Sequence, residues 1–193
     1  MKKILVVTMI LVICIAPLAV QAEHSAVDKG SFELGVGNIL DIWLYRSDNY
    51  ESATWIGIGS TPDMTVGYFI INRLMVGTTL GFSSLKSESW TESSTTFFVQ
   101  PVVKYYFPVS EKFLFNVKGF FGWRREKDSG DPDVYTQIRF GGGAAGTFML
   151  IPNLGASIGA DLIVFPDEKT SGTTVDNTSY YVIDFLLGLS MYL

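Results

Sequence analysis

From Phe32 onward the chain falls into segments in which apolar side chains recur at every second position, the period of a β-strand and not the 3.6 of a helix. The pattern predicts eight strands. The first alternates Phe32, Leu34 and Val36 with Ser31, Glu33, Gly35 and Gly37. A second, over 54–71, carries Ile56, Ile58, Met64, Val66, Tyr68 and Ile70 against Trp55, Gly57, Gly59, Asp63 and Gly67. The third, over 74–83, sets Leu74, Val76, Leu80 and Phe82 against Met75, Gly77, Thr79 and Gly81. The fourth sets Phe97, Val99, Val103, Tyr105 and Phe107 against Phe98, Gln100, Lys104 and Tyr106. The fifth opposes Phe113, Phe115, Val117, Phe121 and Trp123 to Asn116, Lys118, Phe120, Gly122 and Arg124. The sixth opposes Ile138, Phe140, Ala144, Phe148 and Leu150 to Gln137, Arg139, Gly141, Gly143 and Thr147. The seventh has Leu154, Ala156, Ile158, Leu162 and Val164 against Gly155, Ser157, Gly159, Asp161 and Ile163. The last runs Tyr181, Ile183, Phe185, Leu187, Leu189, Met191 and Leu193 against Tyr180, Asp184, Gly188, Ser190 and Tyr192.

The connections alternate in length. Tight turns are expected at Ile71-Asn72-Arg73, at Pro108 to Glu111 and at Ile151-Pro152-Asn153. Longer polar connections are expected at 46–53, 83–94, 125–134 and 166–179. Short turns on one rim and long loops on the other describe an up-and-down meander, and an even strand count puts both chain ends on the short-turn rim. A protease acting from outside would then meet Arg124-Arg125 and Lys127 at the start of the third long loop.

Ahead of the strands, Lys2-Lys3, the apolar run from Ile4 to Ile15, the break at Pro17 and Ala-Val-Gln-Ala ending at Ala22 read as a cleavable secretory signal peptide. The apolar run is short for a helical span, which needs about 20 residues. The expected division is 1–22 signal peptide and 23–193 one barrel domain. The full chain of 193 residues carries a formal charge of −5, and removing Lys2 and Lys3 leaves 12 basic against 19 acidic residues, a net −7. An acidic balance argues against nucleic acid as a partner. The one cysteine, Cys14, leaves with the signal. The one histidine, His24, sits next to the cleavage point, so histidine-based catalysis has no base in the folded body.

Alternation alone does not say which face is inside. A soluble barrel buries its apolar face, and a membrane barrel turns that face to lipid. Thirteen glycines fall on the polar faces and three (Gly119, Gly142, Gly146) on the apolar ones. Glycine weakens a strand that faces water, but the lumen of an eight-stranded barrel is only just wide enough for side chains, and small residues there make room for large ones. The apolar faces carry no Asp, Glu, Lys or Arg within the predicted strands. Aromatics gather at both strand ends, as the interfacial girdles of a membrane barrel do. Tyr68, Phe69, Tyr105, Tyr106, Phe107 and Phe148 lie towards the short-turn rim, and Trp55, Trp123, Tyr135, Tyr180 and Tyr181 towards the long-loop rim. The fold expected is all-β: an eight-stranded, antiparallel, up-and-down transmembrane β-barrel behind a cleavable signal peptide.

Two stretches carry a family resemblance. Thr65-Val66-Gly67-Tyr68-Phe69-Ile70 followed by Asn72 and Leu74-Met75-Val76-Gly77, and Pro101-Val102-Val103-Lys104-Tyr105-Tyr106-Phe107-Pro108, form hairpin motifs. They resemble those of the small outer-membrane β-barrel proteins, the porin-like group of OmpX-type and OmpA-type barrels. The resemblance covers nearly the whole chain after residue 22. It implies short periplasmic turns, surface loops, residence in outer-membrane lipid and insertion by the barrel-assembly machinery. The insertion signal would be the alternation Phe185, Leu187, Leu189, Met191, Leu193. The family usually ends in Phe or Trp, and this chain departs from it by ending in Leu193.

The polar faces carry four acids and four bases. Counted from the short-turn rim, Glu33 and Lys104 are low, Asp63, Lys118, Asp161 and Asp184 midway, and Arg139 and Arg124 higher. Breaking a buried ion pair costs about 3–5 kcal/mol, so these charges are expected to pair in a lumenal ionic cluster that plugs the barrel, with Trp55, Phe98, Tyr106 and Phe120 adding bulk. Asp161 and Asp184 are the carboxylate pair that spacing alone would offer for acid–base chemistry. Asp128, Asp131 and Asp133 lack the spacing of a calcium loop and read as a solvated acidic connection. The expectation is therefore a non-enzymatic, monomeric outer-membrane barrel with no metal or cofactor, with both termini periplasmic, acting in the envelope or on an extracellular ligand through its loops. A narrow pore for ions or small solutes is the first alternative. A soluble periplasmic barrel holding a hydrophobic ligand is the second.

Overall fold

The computed structural model describes residues 25–47, 53–57, 62–86, 93–129, 134–166, 168–170 and 180–193. The expected signal peptide, His24, Trp90, Asp131, Asp133 and the side chain of Trp55 lie outside the described residues. Ten strands follow a short 3₁₀ turn at Ser25–Val27: β1 Phe32–Ser47, β2 Ala53–Gly57, β3 Asp63–Ile71, β4 Leu74–Lys86, β5 Ser93–Ser110, β6 Phe113–Asp128, β7 Val134–Ile151, β8 Leu154–Phe165, β9 Glu168–Thr170 and β10 Tyr180–Tyr192. All described pairings are antiparallel, each long strand pairs with its neighbours in sequence, and β10 returns to pair with β1, closing a ring.

The ring has eight staves, because β2 and β3 share one. Phe32 to Gly37 of β1 pairs with β3, and Asp41 to Tyr45 of β1 pairs with β2. The single strand expected over 54–71 is thus two segments on the same neighbour. The ninth and shortest strand, β9, extends the edge of β7 opposite Tyr135, Thr136 and Gln137.

The short-turn rim is built three times in the same way. Asn72-Arg73, Glu111-Lys112 and Pro152-Asn153 make the turns, and each incoming strand shifts register just before them, at Ile70, Val109 and Leu150. Such a bulge adds one residue and tightens the local twist. The second turn therefore falls at Glu111-Lys112, later than the expected Pro108 to Glu111. On the opposite rim the strands run further than their hydrophobic pattern. β1 reaches Ser47, β4 reaches Lys86, β5 starts at Ser93 and β6 continues to Asp128. Arg124, Arg125 and Lys127 consequently lie in a paired strand and not in a loop, and the expected protease-sensitive site at these residues is withdrawn.

Strand β1 contains the largest irregularity. Val36 pairs with Leu189 and Leu40 with Leu187, so two extra residues are accommodated between them and the face parity survives. Asn38 takes a left-handed conformation there, with φ 52, one that Asn tolerates better than most residues.

The alternation sorts cleanly by face. Exposed large apolar side chains cover the outside on every described stave, among them Leu34, Val66, Val76, Val103, Phe121, Phe140, Leu162 and Leu187. The inside holds Glu33, Thr65, Thr79, Gln100, Asn116, Asp161 and Asp184, all buried. An apolar exterior around a polar lumen is the arrangement of a membrane barrel. It removes the soluble alternative, which needs an apolar lumen. Glycines on the inner face are filled by neighbours: a Cβ at Gly81 would strike the Phe98 ring and one at Gly143 the Asp161 carboxylate, whereas Gly119 on the outer face has open space.

Candidate functional site: a plugged lumen

The lumen is closed in layers, and the lowest is apolar. Phe69, Met75, Tyr106, Leu114, Met149 and Tyr192 point inward near the short-turn rim and pack with Ala26 and Val27 of the N-terminal 3₁₀ turn. The Phe69 and Tyr106 rings lie 5.4 Å apart and those of Tyr106 and Tyr192 6.3 Å. Phe69 and Tyr106 are thus floor residues and not girdle residues, because each has the inward parity of its strand. Main-chain bonds hold the cap on the β3–β4 turn: the Arg73 N–H donates to the Val27 carbonyl at 2.7 Å, the Gly30 N–H to Phe69 at 2.9 Å, and the Lys29 N–H to Asn72 Oδ1 at 2.9 Å.

Above the floor a charged staple crosses the ring. Glu33, on the first stave, is 1% exposed. Its Oε1 accepts from Lys104 Nζ at 2.8 Å and from Ser190 Oγ at 3.2 Å, and its Oε2 accepts from Tyr106 OH at 2.5 Å. Lys104 and Tyr106 belong to β5, three staves away, so these bonds span the lumen. Strong hydrogen bonding of this kind is what a buried carboxylate requires.

The next layer pairs Lys118 with Asp161 at 2.7 Å and bonds the Thr65 and Thr79 hydroxyls at 2.8 Å. Between this layer and the staple lies a cavity of about 70 Å³, bordered by Glu33, Asp63, Asp161, Lys104, Lys118 and Arg139 among others. It has room for a few waters, each needing on the order of 10–15 Å³, and none for a sugar or an amino acid. Higher still, Arg139 donates from Nε to Gln100 Oε1 at 2.7 Å and also from Nη2 to the same oxygen, with its guanidinium 4.1 Å from the Phe98 ring centre and 6.0 Å from that of Phe120. At the long-loop end, Arg124 pairs with Glu126 at 2.7 Å, and Ser94 Oγ donates to Glu126 at 3.0 Å.

Seven of the eight expected lumenal charges therefore share the stack of layers below Arg124: Glu33 with Lys104, Lys118 with Asp161, Asp63 and Arg139 around the same cavity, and buried Asp184 in register with Asp161. Arg124 instead takes Glu126 on its own strand. Glu126 lies past the end of the strand that the hydrophobic pattern predicts, although its position two residues from Arg124 is the signal of a shared face. Asp161 is committed to Lys118, so it and Asp184 are not disposed as a free acid–base pair. On the outside, Tyr68 stacks near Phe32 at 5.0 Å, Tyr105 near Phe107 at 4.9 Å and Phe97 near Trp123 at 6.4 Å, while Phe148 and Tyr181 also face outward at the two ends.

No family model matches the sequence, and no curated protein matches it. Solved structures do. The Neisserial surface protein A matches over 84% of this chain and 99% of its own, with 14% identity and a TM-score of 0.60. The chain has the fold of the small outer-membrane β-barrels. Ail, the attachment invasion locus protein of Yersinia pestis, aligns over 86% of this chain and 99% of its own at 14% identity, with a TM-score of 0.49. The N-terminal barrel of OprF from Pseudomonas aeruginosa aligns over 86% and 98% at 11% identity, with a TM-score of 0.45. At such identities the likeness lies in the barrel architecture alone.

Proposed function

We propose that this protein is a non-enzymatic integral outer-membrane barrel with a sealed lumen, acting at the cell surface through the connections of its long-loop rim. The observation that carries the reading is the pairing of a continuous apolar exterior with a lumen occluded at successive levels, by the apolar floor, by the Glu33 staple and by Arg139 over Phe98. With the lumen closed, its loops are the part of the barrel left to act on something else, and loops on a rigid scaffold are where binding usually resides. The Neisserial protein of the same fold is itself named a surface protein.

In this reading the signal peptide directs export, the barrel-assembly machinery inserts the chain, outer-membrane lipid surrounds it, both termini face the periplasm and the barrel works as a monomer. An extracellular ligand is the partner for the loops. Two measurements test it. The protein folded in detergent or lipid should run at a different gel mobility before and after boiling, and should show no stepwise current in a planar bilayer. A mobility unchanged by heat would remove the membrane barrel. Regular current steps from the unaltered chain would replace the sealed lumen with a narrow pore.

A further inference from the structure

The outward face of β6 changes character once, and abruptly. From the short-turn rim it reads Phe113, Phe115, Val117, Gly119, Phe121, Trp123, and then Arg125 and Lys127, both exposed. The ten residue steps from Phe113 to Trp123 cover ~33 Å of strand, or ~25 Å of height at the usual barrel tilt, the thickness of the apolar band. Trp123, edge-on to Phe97, marks the upper border. Strand spacing puts Arg125 about 5 Å and Lys127 about 10 Å above that border, at the depth of lipid headgroups and not in open water.

The pairing of charges also divides by face. Glu126, the acid between the two cations, is turned inward and held by Arg124 and Ser94. Among the described residues, neither Arg125 nor Lys127 has an acidic partner. Their register neighbours on the outer face are Phe97 and Thr136 for Arg125, and Thr95 and Val134 for Lys127, all uncharged. The paired strand holds the two cations on one face with fixed spacing, close to two hydroxyls. That is a setting for an anion with several acceptor oxygens.

We infer that Arg125 and Lys127 form a clamp for the phosphorylated headgroup of a lipid in the leaflet at the long-loop rim. The inference rests on the membrane-barrel reading and adds a ligand class to it. The guanidinium offers a fork of donors that matches phosphate oxygens, and the ammonium supplies a point charge one strand repeat higher. The Trp123–Phe97 edge below packs on the acyl or sugar portion. The clamp fixes the barrel's height and rotation in the leaflet, and with them the orientation of its loops.

The test uses the full barrel in phosphatidylcholine nanodiscs doped with bisphosphorylated lipid A or with its dephosphorylated form. Native mass spectrometry counts the lipid A retained. The unaltered barrel should retain the phosphorylated form preferentially. R125Q/K127Q should lose that preference, with retention falling about fivefold per cation removed, as expected from ~1 kcal/mol per basic residue at a membrane surface. R125K/K127R keeps both charges and should retain most of the preference, which covers the case in which the neutral variant folds poorly. K112Q, on the opposite rim, should change nothing. Equal retention of the two lipid A forms, a wild-type count from R125Q/K127Q, or full displacement by millimolar inorganic phosphate would overturn the clamp. Failure of the unaltered barrel to enter nanodiscs at all would instead overturn the membrane reading, and the clamp with it.

Discussion

Glu33 is the residue on which closure of the lumen depends. It is buried, it carries charge, and it gathers donors from two other staves, Lys104 and Tyr106 on β5 and Ser190 on β10. Its alternation already placed it inside and low, and placed Lys104 with it. The partners Tyr106 and Ser190 were not legible in the same way. They meet Glu33 only when the ring closes, and the relative heights of staves one, four and eight depend on shear, which no single strand records. The energetics can be separated by a double-mutant cycle. E33Q leaves the Lys104 ammonium in the lumen without its counter-charge and should destabilise the barrel by about 3–5 kcal/mol. K104M should cost a similar amount by orphaning the carboxylate. E33Q/K104M should cost far less than the two single losses added together, because neither charge is then stranded. Urea unfolding from lipid vesicles, followed by tryptophan fluorescence, reads all three. Strictly additive losses would mean that Glu33 and Lys104 are held by their other neighbours and not by each other.

At the scale of the strand, the hydrophobic period reports membrane depth better than it reports strand length. Where the outer face is apolar, the sequence pattern and the observed strands agree closely, as in β8 and β10. Where a strand leaves the lipid, its outward residues turn polar and the period fades, although the backbone ladder continues. Arg125-Glu126-Lys127-Asp128 looks like a loop by composition, yet all four residues pair with β5 and the first three also with β7. β1 departs from its pattern for another reason: a two-residue irregularity interrupts the alternation after Val36, and the strand runs on to Ser47. Depth also sets the price of a charge on the outer face. Along β10, Leu187 faces out midway up the strand and Leu193 faces out at the rim. L187R should therefore cost about 2–4 kcal/mol in vesicle-folding titrations, and L193R about 0–1 kcal/mol. Equal costs would show that the belt is not centred where the girdles of Tyr68, Tyr105 and Trp123 place it.

For the molecule as a whole, the closures act in series, which makes the barrel hard to open by accident. The floor of Phe69, Met75, Leu114 and Met149 under the Val27 cap blocks one level, and the Glu33–Lys104 bridge blocks the next. Tyr106 belongs to both, with its ring in the floor and its hydroxyl on Glu33. Ions crossing the barrel would have to pass every level, so current is limited by whichever obstruction remains. E33A/K104A clears the bridge but leaves the floor, where an ion would be stripped of water among apolar side chains. F69A/M75A opens the floor but leaves a bridge whose charges are already satisfied. Each pair of substitutions alone should give a quiet planar bilayer. Joined in one chain they still leave Arg139 over Phe98, so the four substitutions combined with R139A should give discrete current steps, provided the combined variant still shows the heat-dependent gel shift of a folded barrel. Steps from E33A/K104A alone would show that the cap and floor do not seal the short-turn mouth. Silence from the folded combined variant would place the controlling obstruction at the layer above the bridge, where Lys118 and Asp161 remain paired.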